Sequence, residues 1–320
     1  MKPYRRAAAL FAFVFSVSLA HAQAWPDKLV KVIVPFPAGA TLDFVVRLVS
    51  QRLGEDLGQQ FVVENRTGGA GIIGTDALAK SAPDGYTIAS IANSFASNPT
   101  LRNDLPYDTM KDFAPVTLIG STPLVLVGHA SVPANTTAEL VALAKRQPGK
   151  LSYGAAVGAS PHMAMAWFVS VTGADMALVP YRGQAQAQTD LLAGQIQLVF
   201  GNLSDVMPHV RAGKIKAYGI ATLARSPLAP QVPTLAEAGY KGPEWDSWYG
   251  FVAPAKTPRE IVDKLAAAVK AALARPDIRD KLLGMGLQPV GGTPDEFRAF
   301  LRDTTASYAK IIKEAGIRAE

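Results

Sequence analysis

Gly69, Gly71 and Gly74 spell GxGxxG within "GGAGIIGTDALAK". In dinucleotide-binding folds this spacing brings pyrophosphate onto a helix N-terminus. The surroundings exclude that chemistry. The fingerprint needs its first glycine at a strand end, whereas Glu64, Asn65, Arg66 and Thr67 intervene. It also needs an acidic residue about 20 positions on to hold the ribose, and "TIASIANS" has none. These glycines read as a turn where backbone packs closely. Ser160-Pro161-His162 invites a hydrolase reading, but GASPH lacks the last glycine of a nucleophile elbow. Residues two apart on a helix also point to different faces. Ser160 is expected to cap a helix with Pro161 at its first position, leaving His162 structural or behind the site. The chain has no cysteine, and His21, His129, His162 and His209 lie far apart without ligand spacing. No catalysis, metal or cofactor is expected.

Two other strand-to-helix turns suit a ligand better. "PFPAGATLD" (35 to 43) and "YGAAVGASPH" (153 to 162) are small and uncharged up to the helix start. A ligand can approach the amide N–H groups there, where the helix carries partial positive charge. Two facing cradles suit a carboxylate, met mainly by N–H groups of 38 to 41 and 155 to 160. Asp43 reads either as a polar contact to the ligand or as a helix-start residue favoured by the dipole, and Arg182 as the nearby cation.

These turns sit between elements of period 2 and period 3.6. "KLVKVIVPFP" reads as a buried strand, and "TLDFVVRLVSQRLGEDLG" has helical apolar spacing at Leu42, Val45, Val46, Val49 and Leu53. "QFVVEN", "TDALAKSA" and "GYTIASIA" continue a β-α-β-α-β order, which implies a parallel sheet with helices on both faces. The pattern restarts after Pro123, through "LVLVGH", "TAELVALAKRQPGK", "KLSYGAA", "HMAMAWFVSVTG", "MALVPYRG", "QAQTDLLAGQ" and "IQLVFGN". After "SWYGFVAP" come helices near 258 to 275, 276 to 284 and 294 to 315. Phe36 and Phe95 are placed at strand ends on the sheet's carboxyl edge, where α/β proteins bind ligands. Trp248 and Tyr249 sit where the chain recrosses; they either line the cleft or pack the hinge. Trp167 and Phe168 are assigned to the core.

Residues 1–24 read as a cleavable signal peptide. Lys2, Arg5 and Arg6 precede the apolar run "AAALFAFVFSVSLA", and Ala22-Gln23-Ala24 offers a cleavage site, with Ala20-His21-Ala22 as a second. Its removal takes away three positive charges and lowers the formal net charge from +6 to +3. The remaining charges are mixed in sign, which gives nucleic-acid binding no support.

The chain also resembles the Bug-type solute-binding proteins of tripartite tricarboxylate transporters. The matching stretches run in order: "KVIVPFPAGATLD", "VVENRTGGAGIIGTDALAKSAPDGYT", "NPTL", "LPYDTMKDFAPVTLI", "QPGKLSYG", "VPYRG", "DLLAGQIQLVFGN", "HVRAGKIKAYGIAT", "VPTLAEAG", "SWYGFVAPAKTP" and "GGTPDEF". They span nearly all of residues 25 to 320. The resemblance implies an α/β, two-lobed periplasmic binding protein fold of type II-like topology, each lobe a mostly parallel sheet flanked by helices, with crossing strands as hinge. Residues 25–123 with 247–320 would form one lobe and 124–246 the other. It implies a periplasmic monomer that closes on a small mono- or dicarboxylate and hands it to membrane permease subunits. A ligand-sensing adaptor for a membrane sensor kinase shares this fold, and an exported α/β hydrolase is the remaining alternative.

Carried residue by residue, the resemblance implies first-lobe contacts at Phe36, Pro37, Ala38, Gly39, Ala40 and Thr41, and at Asn93, Ser94 and Phe95. The second-lobe contacts fall on Gly154, Ala155, Ala156, Gly158 and Ser160, on Tyr181, Arg182 and Gly183, and on Gly201 and Asn202. Trp248 joins them as a candidate lining residue. Three departures bear on ligand choice. The family's Pro-Gly-Gly is Ala38-Gly39-Ala40 here, its serine-rich second turn has Ala155 and Ala156, and its acidic residue before the last asparagine is Gly201. Fewer polar partners disfavour citrate and amino acids, and Phe36, Phe95 and Trp248 would favour an acid with an apolar or aromatic body.

Overall fold

The computed structural model describes residues 25–314, 316 and 317; the expected signal peptide lies outside the described residues. The chain opens with β1 (Val30–Val34), α1 (Thr41–Leu57), β2 (Phe61–Asn65), a 3-10 turn (Gly69–Gly71), α2 (Ile72–Ala79), β3 (Thr87–Ala92) and α3 (Asn93–Leu101). A long strand, β4 (Phe113–His129), leads to α4 (Thr137–Arg146), β5 (Ser152–Ala156), α5 (Ser160–Thr172), β6 (Ala177–Tyr181), α6 (Gln184–Leu192), β7 (Leu198–Asn202), α7 (Leu203–Arg211) and β8 (Ile215–Ile220). The chain then returns through β9 (Asp246–Pro254) to α8 (Arg259–Ala274), α9 (Pro276–Gly284), β10 (Gln288–Pro289) and α10 (Pro294–Glu314).

The strands form two sheet sections joined by β4 and β9. In the first, β2, β1 and β3 pair in parallel, and β9 joins β3 antiparallel. In the second, β6, β5 and β7 pair in parallel. Residues 113–123 of β4 pair with β9, and residues 124–129 pair with β7 and β8, all antiparallel. The anticipated parallel sheet is thus the outer three strands of each lobe. The strands beside the hinge run antiparallel because the chain must cross and come back.

Alternation decides which face each strand residue covers. Val32 and Val34 pack with Val45, Val46 and Val49 of α1, while Ile33 faces the opposite layer with Leu78. On β4, Leu124 and Leu126 join the layer holding Met163 and Phe168, and Val125 and Val127 join the layer beneath α6 and α7. Each such residue is fully buried and contributes roughly 1.5–3 kcal/mol. The parallel strands end where their helices begin, so the N-termini of α1, α3, α5, α6 and α7 gather at the carboxyl edges of the two sections.

Two helices and one strand continuity depart from the sequence reading. α3 carries Pro99 and α7 carries Pro208, each inside the helix, where proline costs a hydrogen bond and reads as a breaker. Phe95 therefore lies on a helix, not at a strand end. β4 runs unbroken through Pro115 and Pro123, with irregular register against β9 near Pro115. Proline is tolerated in a strand at such irregularities. No helix among the described residues is long and apolar enough to cross a membrane.

Candidate functional site

The turn after β1 exposes Pro37, Ala38 and Gly39 and half-buries Phe36, Ala40 and Thr41. Gly39 has φ +81°. Its N–H donates to Oδ2 of Asp43 at 3.0 Å, so this donor is already engaged. That corrects the expectation that Gly39 N–H meets a ligand. Asn65 Nδ2 donates to Oδ1 of Asp43 at 2.8 Å and to the Phe36 carbonyl at 3.0 Å. Arg47 Nε reaches both Asp43 oxygens at 3.1 Å. Burial opposes ionisation of Asp43, but the bonds from Arg47, Gly39 and Asn65 outweigh it and hold the carboxyl below its ordinary range. The backbone N–H groups of Thr41 and Leu42, at the start of α1, have no intrahelical acceptor and point out of the helix end.

The GxGxxG stretch is explained by backbone. Gly68, Gly69 and Gly71 have positive φ, which glycine adopts without steric cost, and Ala70 between them is held at φ 53°. A Cβ on Gly74 would lie 2.8 Å from both the Arg66 carbonyl and Pro35. The turn packs beside Phe36 and accepts a long bond from Asn98 of α3.

α3 links the glycine turn to the turn after β5. Ser97 Oγ donates to the Gly158 carbonyl at 2.9 Å, across to the turn after β5. Gly158 has φ +78°, and its N–H donates to Nδ1 of His162 at 3.2 Å. That bond requires Nδ1 unprotonated, and burial lowers the His162 pKa to about 4, so the ring is neutral. Ser160 is the first residue of α5; Ala159 takes the capping position and makes no side-chain cap bond. Ser160 Oγ instead lies 3.3 Å from Ser247 Oγ on β9. Among the described residues, the Val157 and Ser160 N–H groups have no partner within the chain.

Several predicted contacts sit elsewhere. Trp248 is fully buried, edge-on to Phe297 and Phe300 of α10, so it packs the hinge. Phe95 is buried against Phe113. Asn93 Nδ2 donates to the Asp246 carbonyl and the Tyr308 hydroxyl, and its Oδ1 accepts from Trp248 N–H, which commits the side chain to the hinge. Ala155 is buried in its strand. Gly154 is a packing glycine: a Cβ there would lie 2.5 Å from Ile196 Cδ1. At Gly201 a Cβ would lie 2.3 Å from Val206 Cγ1, so Val206 fills the space an acidic side chain would take. Tyr181 donates its hydroxyl to Asp190 at 2.6 Å. Burial and that carboxylate push the phenol up to about 12. Ser94, Ala156 and Gly183 are half-buried at helix starts or strand ends, and Arg182 is exposed without an ion pair among the described residues.

Sequence reasoning missed Asn65, Ser97, Gln184 and Asp246. Asn65 ends β2, the one available signal being a polar residue closing an apolar strand. Gln184 Nε2 donates to the Phe200 carbonyl, and Asn202 Nδ2 to Asp205, while both side-chain carbonyl oxygens are buried without a protein partner. Asp246 opens β9 at the hinge; burial pushes its carboxyl up to about 6, Ser121 opposes this and Glu244 adds repulsion. Two surface concavities, one beside Gly54 and Phe61 and one between α5 and α10, contain none of the predicted contacts. Both lie away from the gathered helix starts. Among the described residues no cluster of His, Asp and Glu could hold a metal ion.

The sequence profile of the tripartite tricarboxylate transporter family receptor matches residues 45–317. The chain belongs to this receptor family. Protein BugT of Bordetella pertussis is 35% identical, over 93% of this chain and 92% of that protein. Among solved structures, R. palustris Rpa4515 with adipate superposes with TM-score 0.84 at 35% identity, covering 92% of this chain and 99% of that one. MatC from Rhodopseudomonas palustris with bound malate gives TM-score 0.80 at 30% identity, covering 90% and 100%. The receptor family's two-lobed periplasmic binding fold is therefore the fold of this chain.

Proposed function

We propose that this receptor captures a small carboxylate between its lobes in the periplasm and delivers it to the permease subunits of a tripartite tricarboxylate-type transporter. The observation that carries the reading is that the turns after β1 and after β5 are both small-residue turns leading into a helix N-terminus, the second held from α3 by the Ser97 bond to the Gly158 carbonyl. Helix starts with free N–H groups favour an anion without a cationic side chain. The relatives bound to adipate and malate support a carboxylate as the ligand.

We assign residues 25–123 with 247–320 to one lobe and 124–246 to the other, which suits the exchange of β4 partners between Pro123 and Leu124. The ligand contacts we propose are Phe36 to Thr41 and Ser94 from the first lobe, and Ala156 to Ser160, Arg182, Gly183 and Asn202 from the second. With Phe95 and Trp248 in the core, Phe36 is the remaining apolar face, so a short aliphatic acid fits better than an aromatic one. The test is a thermal-shift panel of aliphatic, hydroxylated and aromatic acids, joined to mass spectrometry of ligand released from purified protein. Acid at about 100 times its dissociation constant adds about 2.7 kcal/mol of stability, a clear upward shift. If no carboxylate shifts the transition and none co-purifies, the reading fails.

A further inference from the structure

Pro37, Ala38 and Gly39 are exposed, and nothing lies within 4 Å of a Cβ placed on Gly39. Core packing reaches the turn at Phe36 but not at Pro37, Ala38 or Gly39. The exposed part is held by the buried carboxylate of Asp43, 4% exposed, with Asn65 and Arg47, beside the Ala40 N–H bond to the Pro37 carbonyl. Asp43 is the third residue of α1, and helical side chains lean back toward the N-terminus, which sets its oxygens over the turn. A carboxylate accepts at both oxygens, and here it takes bonds from Gly39, Asn65 and Arg47. Asn65 also holds the Phe36 carbonyl, so the turn is gripped at both ends. Arg47 Nη2 donates to Asn65 Oδ1 at 2.8 Å, which fixes the amide's orientation. The charge of Asp43 is balanced by Arg47, so the turn adds no net charge to the site.

We propose that Asp43, with Asn65 and Arg47, is the positioning group of the first-lobe ligand turn: it sets the turn before ligand arrives, and leaves Thr41 and Leu42 N–H to face the ligand. This rests on the reading that the turn binds ligand. A preformed turn spends no binding energy on its own ordering. An amide at position 43 has a single acceptor oxygen and turns an NH2 group toward one of the three donors.

The test uses the purified protein and the variants Asp43→Asn, Asp43→Leu and Arg47→Lys. In free wild type the Gly39 amide should be protected from hydrogen exchange. Protection should fall partly in Asp43→Asn and fully in Asp43→Leu. Affinity for adipate, malate or whichever panel acid binds best should fall in the same order, by about tenfold or more in Asp43→Leu, the factor one lost charged hydrogen bond carries. Arg47→Lys should retain part of both. If Asp43→Leu does not fold, the other two variants decide. Rapid Gly39 exchange in wild type overturns the proposal, as does unchanged affinity with the turn freed. If no acid binds wild type, the functional reading fails while Gly39 exchange still decides the clamp.

Discussion

In the first lobe the turn after β1 is fixed by an ionised carboxylate whose partners, Gly39, Arg47 and Asn65, all lie nearby in that lobe. In the second, the turn after β5 is fixed by a neutral imidazole on its own helix and by hydroxyls from α3 and β9. The two stretches look alike as strings of small residues, yet they differ in charge and in where their support comes from. The first turn keeps its support whatever the lobes do. The second is also held by Ser97 and Ser247, which reach it from α3 and β9. If the lobes close as hinged bodies, the first turn is expected to keep its shape and the second to tighten.

The largest expected effect comes from removing the imidazole. His162→Leu leaves Gly158 N–H buried without an acceptor, which costs about 1–3 kcal/mol. Calorimetric titration should show affinity for the best panel acid reduced about tenfold or more, and the unfolding temperature should fall. Wild-type affinity in this variant would mean that the second turn holds its shape without His162.

Acidification separates the jaws more gently. The folded pKa of His162 is lowered from 6.5 to about 4, so the neutral ring's contribution is full above pH 6.5 and declines as pH falls toward 4. Asp43 is held below the ordinary carboxylate range and stays ionised further down. Amide exchange followed from pH 7 to 4 should therefore show Gly158 losing protection before Gly39, once corrected for intrinsic rates. The opposite order would reverse the electrostatic contrast.

Ser97→Ala should have the smallest effect. It removes one neutral hydrogen bond, worth about 1 kcal/mol, and nothing in the first turn. Small-angle scattering should report a more open average shape, with affinity within about tenfold of wild type. Altered exchange at Gly39 in this variant would show that the first turn is not independent of closure.

Much of this was legible in the sequence. The α1 apolar stripe, the restart after Pro123 and the C-terminal helices follow from periodicity, because local pattern and tertiary burial agree there. The helices around Pro99 and Pro208 were not legible, since an internal proline reads as an end until packing overrides it. The positions of both strand-to-helix turns were readable from their small residues at strand ends. Their supports were not: Asn65 and Ser97 act across long sequence separations, and no short motif records that Asp43 spends itself on Gly39. Phe95 was misplaced, and Trp248 left open, for a related reason. A large aromatic at a crossing point packs a core or lines a cleft with equal ease, and α10 covers the one while Phe113 covers the other.

The measurement that bears most directly on the account is a crystal structure with the acid that co-purifies or gives the largest thermal shift. The account predicts the acid between the lobes, with carboxylate oxygens about 2.7–3.2 Å from backbone N–H groups of both turns, Thr41 or Leu42 on one side and Val157 or Ser160 on the other. An acid held by one lobe alone, by Arg182 without the turn amides, or in the groove between α5 and α10 would contradict it.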